Sequence, residues 1–552
     1  MTRRIVGSRR LEREHVLVGI GTVAVVVILI VIIAGAAAVY YFTTLPAAKV
    51  SSTTTSSSTL ATTSTSVPTT SSTTAQTTTP STTSTQTTTS TNSTVKPNGV
   101  DDTADIQAAF NACGTSPGCT VQLVAGTYHI SQIAVTGFQG RFVGMGQGVT
   151  IIQGLPNLPD PNPAYNQAPS AKYPDGLTSS MAPPGPSNPW PILISFVNGT
   201  FAISGMTITD TNDAPIASPG WYDLPATTPS TALASAIFIT GTQAHASVDH
   251  VTVTGIMSDL GPNMIGGIAY SGILGSPGDT PAELTPLSGT FTMTNSVFTW
   301  SGVWIENIVG ATVTVCYNKV PASVPYTYGF FDAYNSKLTF CGNSGPGNGG
   351  GAAMGIKQDV YHPPPTSGPV ASTVYVTDNS FNVSQAANAV ILYDHEPTPS
   401  LSAVVSGNVF RNNYSSNDWG DSVIASVNLR SINITANTIA AGGAPGIYLN
   451  GGTGVVTGNN ITGAYTGVWL DEASGVRVAN NTITNSVEYG IALTSSNEAG
   501  SSATTPSSND SVTGNVVRNS GTYDIYWDGS GSNDHWCGNV YTSSSPKILP
   551  SC

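Results

Sequence analysis

Charge is the scarcest commodity in this chain. Only 9% of its 552 residues are Asp, Glu, Lys or Arg, with 17 basic side chains against 30 acidic ones. A formal net charge of −13 and so few basic residues exclude the electrostatic footprint of a nucleic-acid binder. Outside the first fifteen positions, arginine appears only at Arg141, Arg411, Arg430, Arg477 and Arg518. Strings of Leu, Glu and Lys, the fabric of helical enzymes, are missing. Gly, Ser, Thr and Asn take their place, which suits a long β-solenoid. Cysteine is limited to six residues, with no Cys-x-x-Cys pair and no matching histidine cluster, so no metal site is expected.

What is abundant is one phrase, repeated along the C-terminal half: apolar, any, small or polar, Asn, any, apolar. It reads Val376-Thr-Asp-Asn379-Ser-Phe381, Val405-Ser-Gly-Asn408-Val-Phe410 and Ile434-Thr-Ala-Asn437-Thr-Ile439. It returns around Asn459, Asn481 and Asn515, with weaker copies at Asn318, Asn343 and Asn539. The asparagines are 22 to 36 residues apart, so coils share one wall and differ in their loops. About a dozen residues before many copies lies a second run, such as Gly302-Val-Trp-Ile-Glu306, Gly446-Ile-Tyr-Leu-Asn450 or Gly467-Val-Trp-Leu-Asp471. Its second and fourth residues are apolar and point inward; its third and fifth point outward. Short strands with no helices between them predict an all-β parallel β-helix. Asparagines stacked once per coil can take the left-handed conformation at a tight bend and bond to one another in a ladder.

The termini suggest export. Residues 1–15 carry Arg3, Arg4, Arg9, Arg10 and Arg13, and Val16–Phe42 has no charged residue. A cytoplasmic tail followed by a single transmembrane signal-anchor over 16–42 is the favoured reading, with the C-terminal domain extracellular. A signal peptide cleaved near Ala36-Ala-Ala38 is the alternative. Residues 43–96, nearly all Ser and Thr, form a disordered stalk, and 97–552 the β-helix domain. Sequons such as Asn198, Asn382 and Asn433 would make it a glycoprotein where exported chains are glycosylated. Cys316 and Cys341 each sit two residues before a ladder asparagine. Coils stack about 4.8 Å apart, so these two should form a disulfide between adjacent coils. Cys113–Cys119 and Cys537–Cys552 would staple the ends.

At the start of the domain, Asn98-Gly-Val-Asp-Asp-Thr-Ala-Asp-Ile-Gln-Ala-Ala-Phe-Asn111 precedes Gly118-Cys-Thr-Val-Gln-Leu-Val-Ala-Gly-Thr-Tyr128. Asp102 is placed to cap a short helix with Ile106, Ala109 and Phe110 on its apolar face, covering the end of the solenoid. This stretch resembles the opening motif of the pectate-lyase-like superfamily at Gly99, Val100, Asp101, Asp102, Thr103, Ile106, Gln107, Ala109, Gly126, Thr127 and Tyr128. It departs in Asn98 for the first Asp, one residue fewer before the Asp pair, and Ala125 near the usual Pro. The resemblance spans about residues 97 to 545 and implies a right-handed parallel β-helix. It does not choose among lyases, hydrolases, epimerases, tailspikes and non-catalytic surface proteins.

Aligning the glycine-led runs puts Glu306, Asp359, Asn450, Asp471, Thr494 and Asp528 in one outward column. Trp304, Phe331, Lys357, Tyr448, Trp469 and Tyr526 fall in its neighbour. Aromatic rings beside acids suit a saccharide groove. The expected catalytic acids are Glu306, Asp332 and Asp359, with Trp304, Lys357, Tyr361, Asp394, Trp469 and Asp471 binding substrate. Two coils between Glu306 and Asp359, roughly 10 Å, would suit inverting hydrolysis. Insertions at 154–190, 210–232 and 256–290 could wall the groove. Polygalacturonase signatures are absent. Val303-Trp304-Ile305-Glu306-Asn307 only faintly resembles the calcium-binding Val-Trp-Ile-Asp-His of pectate lyases, so calcium would enter only with lyase chemistry. Two readings stand: a surface enzyme that cleaves polysaccharide, or a non-catalytic module for glycan binding, adhesion or envelope structure. A homotrimer is compatible with either, though no coiled-coil heptad enforces one.

Overall fold

The computed structural model describes residues 92–155, 192–210, 235–254, 258–259, 264–265, 267–272, 286–299, 301–320, 328–345, 353–358, 371–383, 388–394, 396, 398–495, 506–546 and 549. All belong to the unit Gln86–Cys552. The expected anchor at 16–42 lies outside the described residues, as does the stalk up to residue 91.

The first strand, Asn92–Val95, starts before the boundary expected at 97 and pairs in parallel with Cys119–Leu123. Its β-branched Thr94 and Val95 can extend as well as any core strand. The helix that follows, Thr103–Cys113, buries Ile106, Ala109, Phe110 and Cys113. Phe110 meets Phe138, Phe142 and Phe196 with ring centroids 5.2, 5.1 and 5.8 Å apart. Asp102 holds the N-cap position, but its carboxylate does not cap. It accepts the Asn98 N–H at 2.6 Å and the His129 N–H at 2.9 Å, tying the entering chain to the next strand. The Thr103 N–H goes to Asp101 instead, at 2.9 Å.

Parallel strands then stack coil upon coil. In the early coils one strand serves several walls: Ile192–Asp210 pairs with Ile133–Phe138, then Gly140–Val143, then Thr150–Gly154. From Val303 onward each coil divides. The first wall contains Val303–Val309, Tyr328–Tyr334, Met354–Gln358, Val390–Asp394, Ile424–Val427, Ile447–Asn450, Thr466–Asp471, Tyr489–Thr494 and Tyr523–Trp527. The second runs from Thr312–Cys316 to His535–Cys537. The third is a seven-stranded sheet from Ser344–Gly345 to Val516–Arg518. Alternation sends Val, Ile, Leu and Phe inward from every wall, making one continuous apolar core.

The ladder lies between the second and third walls. Asn437 shows the unit: its Oδ1 accepts the backbone N–H and the Nδ2 of Asn408, at 3.0 and 2.9 Å. Its own Nδ2 reaches Asn459 Oδ1 and the Val405 carbonyl, both at 2.9 Å. The same transfer links Asn318, Asn343, Asn379, Asn408, Asn437, Asn459, Asn481, Asn515 and Asn539. One expected detail is displaced. The left-handed residue is the one before each asparagine: Gly342, Gly407, Gly458, Gly514 and Gly538, but also Tyr317, Asp378, Ala436 and Asn480. The turn is made one step early so that the asparagine itself can point inward and bond.

The disulfide between coils forms as expected: Cys316 and Cys341 are register partners with Cα atoms 4.5 Å apart. Cys113–Cys119 also forms. Cys537 is disulfide-bonded, while Cys552 lies outside the described residues.

Candidate functional site

Strand register fixes the outward columns of the first wall. One contains Trp304, Gly329, Gly355, Ile391, Ala425, Tyr448, Trp469, Ala492 and Tyr526. The other contains Glu306, Phe331, Lys357, Tyr393, Val427, Asn450, Asp471 and Thr494. The glycine alignment therefore slips by two residues in two coils. Gly329 and Gly355 match Trp304 rather than Gly302, which moves Phe331 and Lys357 into the column of Glu306. Glycine opens the strand in some coils and fills an outward slot in these two.

The expected acids are not an exposed row. Glu306 is 3% exposed and its Oε2 accepts the indole N–H of Trp304, itself buried, at 2.7 Å. Asp332 is 2% exposed, lies one coil on in register with Asn307, and shares its left-handed backbone. Asp359 and Tyr361 lie outside the described residues. Asp394, expected to bind substrate, is fully buried: its carboxylate accepts the N–H groups of Glu396, Ser400 and Leu401 at 3.1, 2.6 and 2.7 Å. It organises the turn into the second wall and is closed to a glycan. Lys357 is half-buried, stacked in register between Phe331 and Tyr393.

Asp471 is likewise buried, held in a network. Its Oδ2 accepts the Tyr448 hydroxyl at 2.9 Å, and its Oδ1 accepts the Thr494 hydroxyl at 3.0 Å. Thr494 in turn accepts the Trp469 indole N–H at 2.8 Å. Asp471 thus orients the rings beside it and cannot itself meet a substrate, contrary to expectation. Trp469 stays half-exposed and edge-on to Tyr448, with centroids 5.2 Å apart.

The sequence reading missed Trp419. It lies in a short 3-10 turn, Trp419–Asp421, whose Asp418 cap accepts the Gly420 N–H at 2.8 Å. From that turn its ring stacks on Tyr448 at 5.2 Å and meets Tyr393 edge-on at 6.2 Å. No repeat marks it, because it belongs to a loop between walls. Also missed was a tyrosine cluster on the last coils. Tyr489 stacks on Tyr526 at 4.5 Å and lies parallel to Tyr523 at 6.5 Å. Glu488 bonds to the phenols of Tyr465 and Tyr489. That bond first, then burial, raises the Tyr465 phenol above its usual range. Burial first, then Glu488, pushes Tyr489 up to about 12. Burial, helped by Asp418, also raises Tyr393. The Tyr465 and Tyr489 phenols thus serve as hydrogen-bond donors to Glu488.

The result is a band of rings, Tyr393, Trp419, Tyr448, Trp469, Tyr526, Tyr489 and Tyr523, running along six coils of one wall. Tyr448 is buried and fixes its neighbours, while the half-exposed rings Trp469, Tyr489, Tyr523 and Tyr526 can stack on sugars. Among the described residues no group of three His, Cys, Asp or Glu side chains is placed to hold a metal ion.

Residues 366–534 match the family described as right handed beta helix region, and the domain is a right-handed parallel β-helix. No curated protein matches the chain. Among solved structures it is similar to the Azotobacter vinelandii mannuronan C-5 epimerase AlgE6 A-module. That match has 14% identity, 80% of this chain and 91% of the other covered, and a TM-score of 0.35. Tailspike protein 3 of bacteriophage CBA120 matches at 10% identity, 82% and 59% coverage, and a TM-score of 0.38. The catalytic unit of a GH87 alpha-1,3-glucanase from Streptomyces thermodiastaticus strain HF3-3 matches at 12% identity, 81% and 67% coverage, and a TM-score of 0.31. Likeness this distant does not bear on chemistry.

Proposed function

We propose that the chain is a cell-surface protein whose β-helix holds a polysaccharide along the aromatic band of its first wall. The observation that carries this reading is the run of ring contacts from Tyr393 through Trp419 and Tyr448 to Trp469, with a second ring group, Tyr489, Tyr523 and Tyr526, beyond Ala492 on the same wall. Trp469, Tyr489, Tyr523 and Tyr526 remain half-exposed, so part of each ring is open to solvent. Anchoring through residues 16–42 and lifting by the Ser/Thr stalk would present this wall to extracellular glycan. The helix Thr103–Cys113 would close the N-terminal end of the core.

A second reading adds turnover. Glu306 and Asp332 are nearly fully buried carboxyls on adjacent coils of the same wall. With Asp359 they would supply acid and base for glycoside hydrolysis. Incubating the intact chain with neutral and acidic polysaccharides, followed by mass spectrometry, separates the readings. Hydrated fragments that vanish in Glu306→Gln establish a hydrolase, and unsaturated ones a lyase. Intact polymers that are nonetheless retained establish a binder. Intact polymers with no retention contradict both.

A further inference from the structure

Ring stacking is indifferent to the charge of the sugar, so the groups beside the rings decide which polymer is admitted. Along the C-terminal half of the wall those groups are acids. Asp418 is exposed and Asp421 half-buried on either side of the Trp419 turn. Glu488 sits in register between the Tyr465 and Thr522 coils, its N–H donating to the Tyr465 carbonyl at 2.9 Å and its carbonyl accepting the Thr522 N–H at 2.9 Å. Asp528, exposed at the end of the wall, accepts the N–H groups of Ser495 and Ser530 at 2.9 and 2.8 Å. Positive charge is placed elsewhere. Arg411 and Arg518 lie in the third wall and Arg477 in the second, while Arg430 is exposed in the turn from the first wall to the second, outside both outward columns. Among the described residues of the two outward columns the single cation is Lys357, half-buried and already engaged with the protein.

We propose that this band selects polysaccharides without carboxylates, whether uncharged or amino-bearing, and rejects polyuronates. A polyuronate laid on the rings would bring a negative charge with every sugar past Asp418, Glu488 and Asp528. Repulsion between like charges at such distances rises steeply wherever water is thinned by the rings. Neutral sugars avoid that cost, and an amino sugar would gain from the same acids. Salt must weaken the discrimination, because the acids are exposed enough to be screened.

The inference rests on the glycan-binding reading, and the test separates the two. The intact chain is run by affinity electrophoresis in gels containing a neutral β-glucan, chitosan, polygalacturonate or alginate, at low and at high ionic strength. Expected is retardation by the glucan or chitosan and at least tenfold weaker interaction with both polyuronates, the gap narrowing in salt. The double variant Asp418→Asn with Glu488→Gln should narrow it at low salt too. Its melting temperature checks that the coils remain folded. Polyuronates binding as well as the glucan, with loss in Tyr526→Ala, would overturn the selectivity and leave the binding reading standing. Retardation by none of the four would remove the binding reading, and this inference with it.

Discussion

Between the second and third walls, nine asparagines pass the same hydrogen bonds from coil to coil, whereas the first wall changes its outward residue at nearly every step. Both regions are built on the same parallel register, so the contrast lies in side chains alone. From Asn318 to Asn515 each ladder amide is uncharged, buried and bonded to the next, and any other residue would break the chain of donors and acceptors. On the first wall the outward slots hold Ala, Ile, Tyr, Trp, Asp and Thr, because the backbone has already paired and the slot is free to vary. The corner fixes the coil, and the wall carries what differs between coils.

Substitution in the ladder should cost most. Asn437→Ala leaves the Asn408 N–H without its acceptor and takes one bond each from Asn408 Nδ2, Asn459 Oδ1 and the Val405 carbonyl, the first two keeping the Val376 carbonyl and the Asn437 N–H. At about 1–3 kcal/mol for each buried group, partly relieved by relaxation, we expect a loss of about 4 kcal/mol in denaturant unfolding. An Asn437→Ala chain as stable as the parent would mean that the ladder is incidental.

A second stack sharpens the comparison by doing a ladder's work with acids. The inward column Val313, Leu338, Val374, Ala403, Ile432, Gly454, Val476 ends in Asp510 and Asp534. Asp510 Oδ1 accepts the Val476 N–H at 2.7 Å and Asp534 Oδ1 accepts the Asp510 N–H at 2.9 Å, as in the ladder. Where asparagine would donate, each has a buried Oδ2 with no hydrogen-bond partner. Burial, reinforced by Asp534, pushes the Asp510 carboxyl up to about 7; Asp534 is also raised, by burial first, with His535 and Asp528 nearby. A carboxyl near 3.9 when unfolded and about 7 when folded binds its proton more tightly in the folded state. Stability is then full below about pH 4, falls as pH rises towards about 7, and stays low above it. The expected drop is on the order of 4 kcal/mol, at about 1.4 kcal/mol per unit over about three units. In Asp510→Asn, unfolding at pH 8 should require more denaturant than in the parent, and the slope between pH 4 and 7 should flatten. An unchanged slope would show that Asp510 does not carry it.

On the first wall the effects should appear in binding rather than folding. Tyr526→Ala removes the ring stacked on Tyr489 without opening the core. Glycan affinity should fall about tenfold, or about 1.4 kcal/mol, measured by titration calorimetry, with little change in melting temperature. The smallest effect belongs to the ladder's entry turn. Ala436 holds a φ of 54°, where several other coils place glycine. Ala436→Gly should stabilise by about 1 kcal/mol, because the left-handed strain of the methyl group outweighs the entropy that glycine adds to the unfolded chain.

The same contrast explains what the sequence disclosed. A residue forced to recur is visible, so all nine ladder asparagines and the Cys316–Cys341 bridge could be read from spacing. The left-handed position was misplaced by one residue because Gly precedes Asn only in some coils. Register on the first wall slipped at Gly329 and Gly355, since a glycine can start a strand or sit within it. Asp394 and Asp471 looked like surface acids because strand alternation says which way a side chain points and not what covers it. Trp419 had no signal at all, as a loop residue whose partners come from two coils. Asp510 was legible, standing two residues before inward Val512 on the same strand parity, and was passed over.

The most direct test of the account compares one change on each side of the solenoid: Tyr526→Ala in the first wall and Arg518→Ala, equally close to the C-terminal end, in the third. Affinity electrophoresis of the intact chain in a neutral β-glucan or chitosan gel is predicted to lose retardation with the first and keep it with the second, both folded by melting curve. Equal retardation of both variants and the parent would contradict the claim that the aromatic band of the first wall is the glycan site.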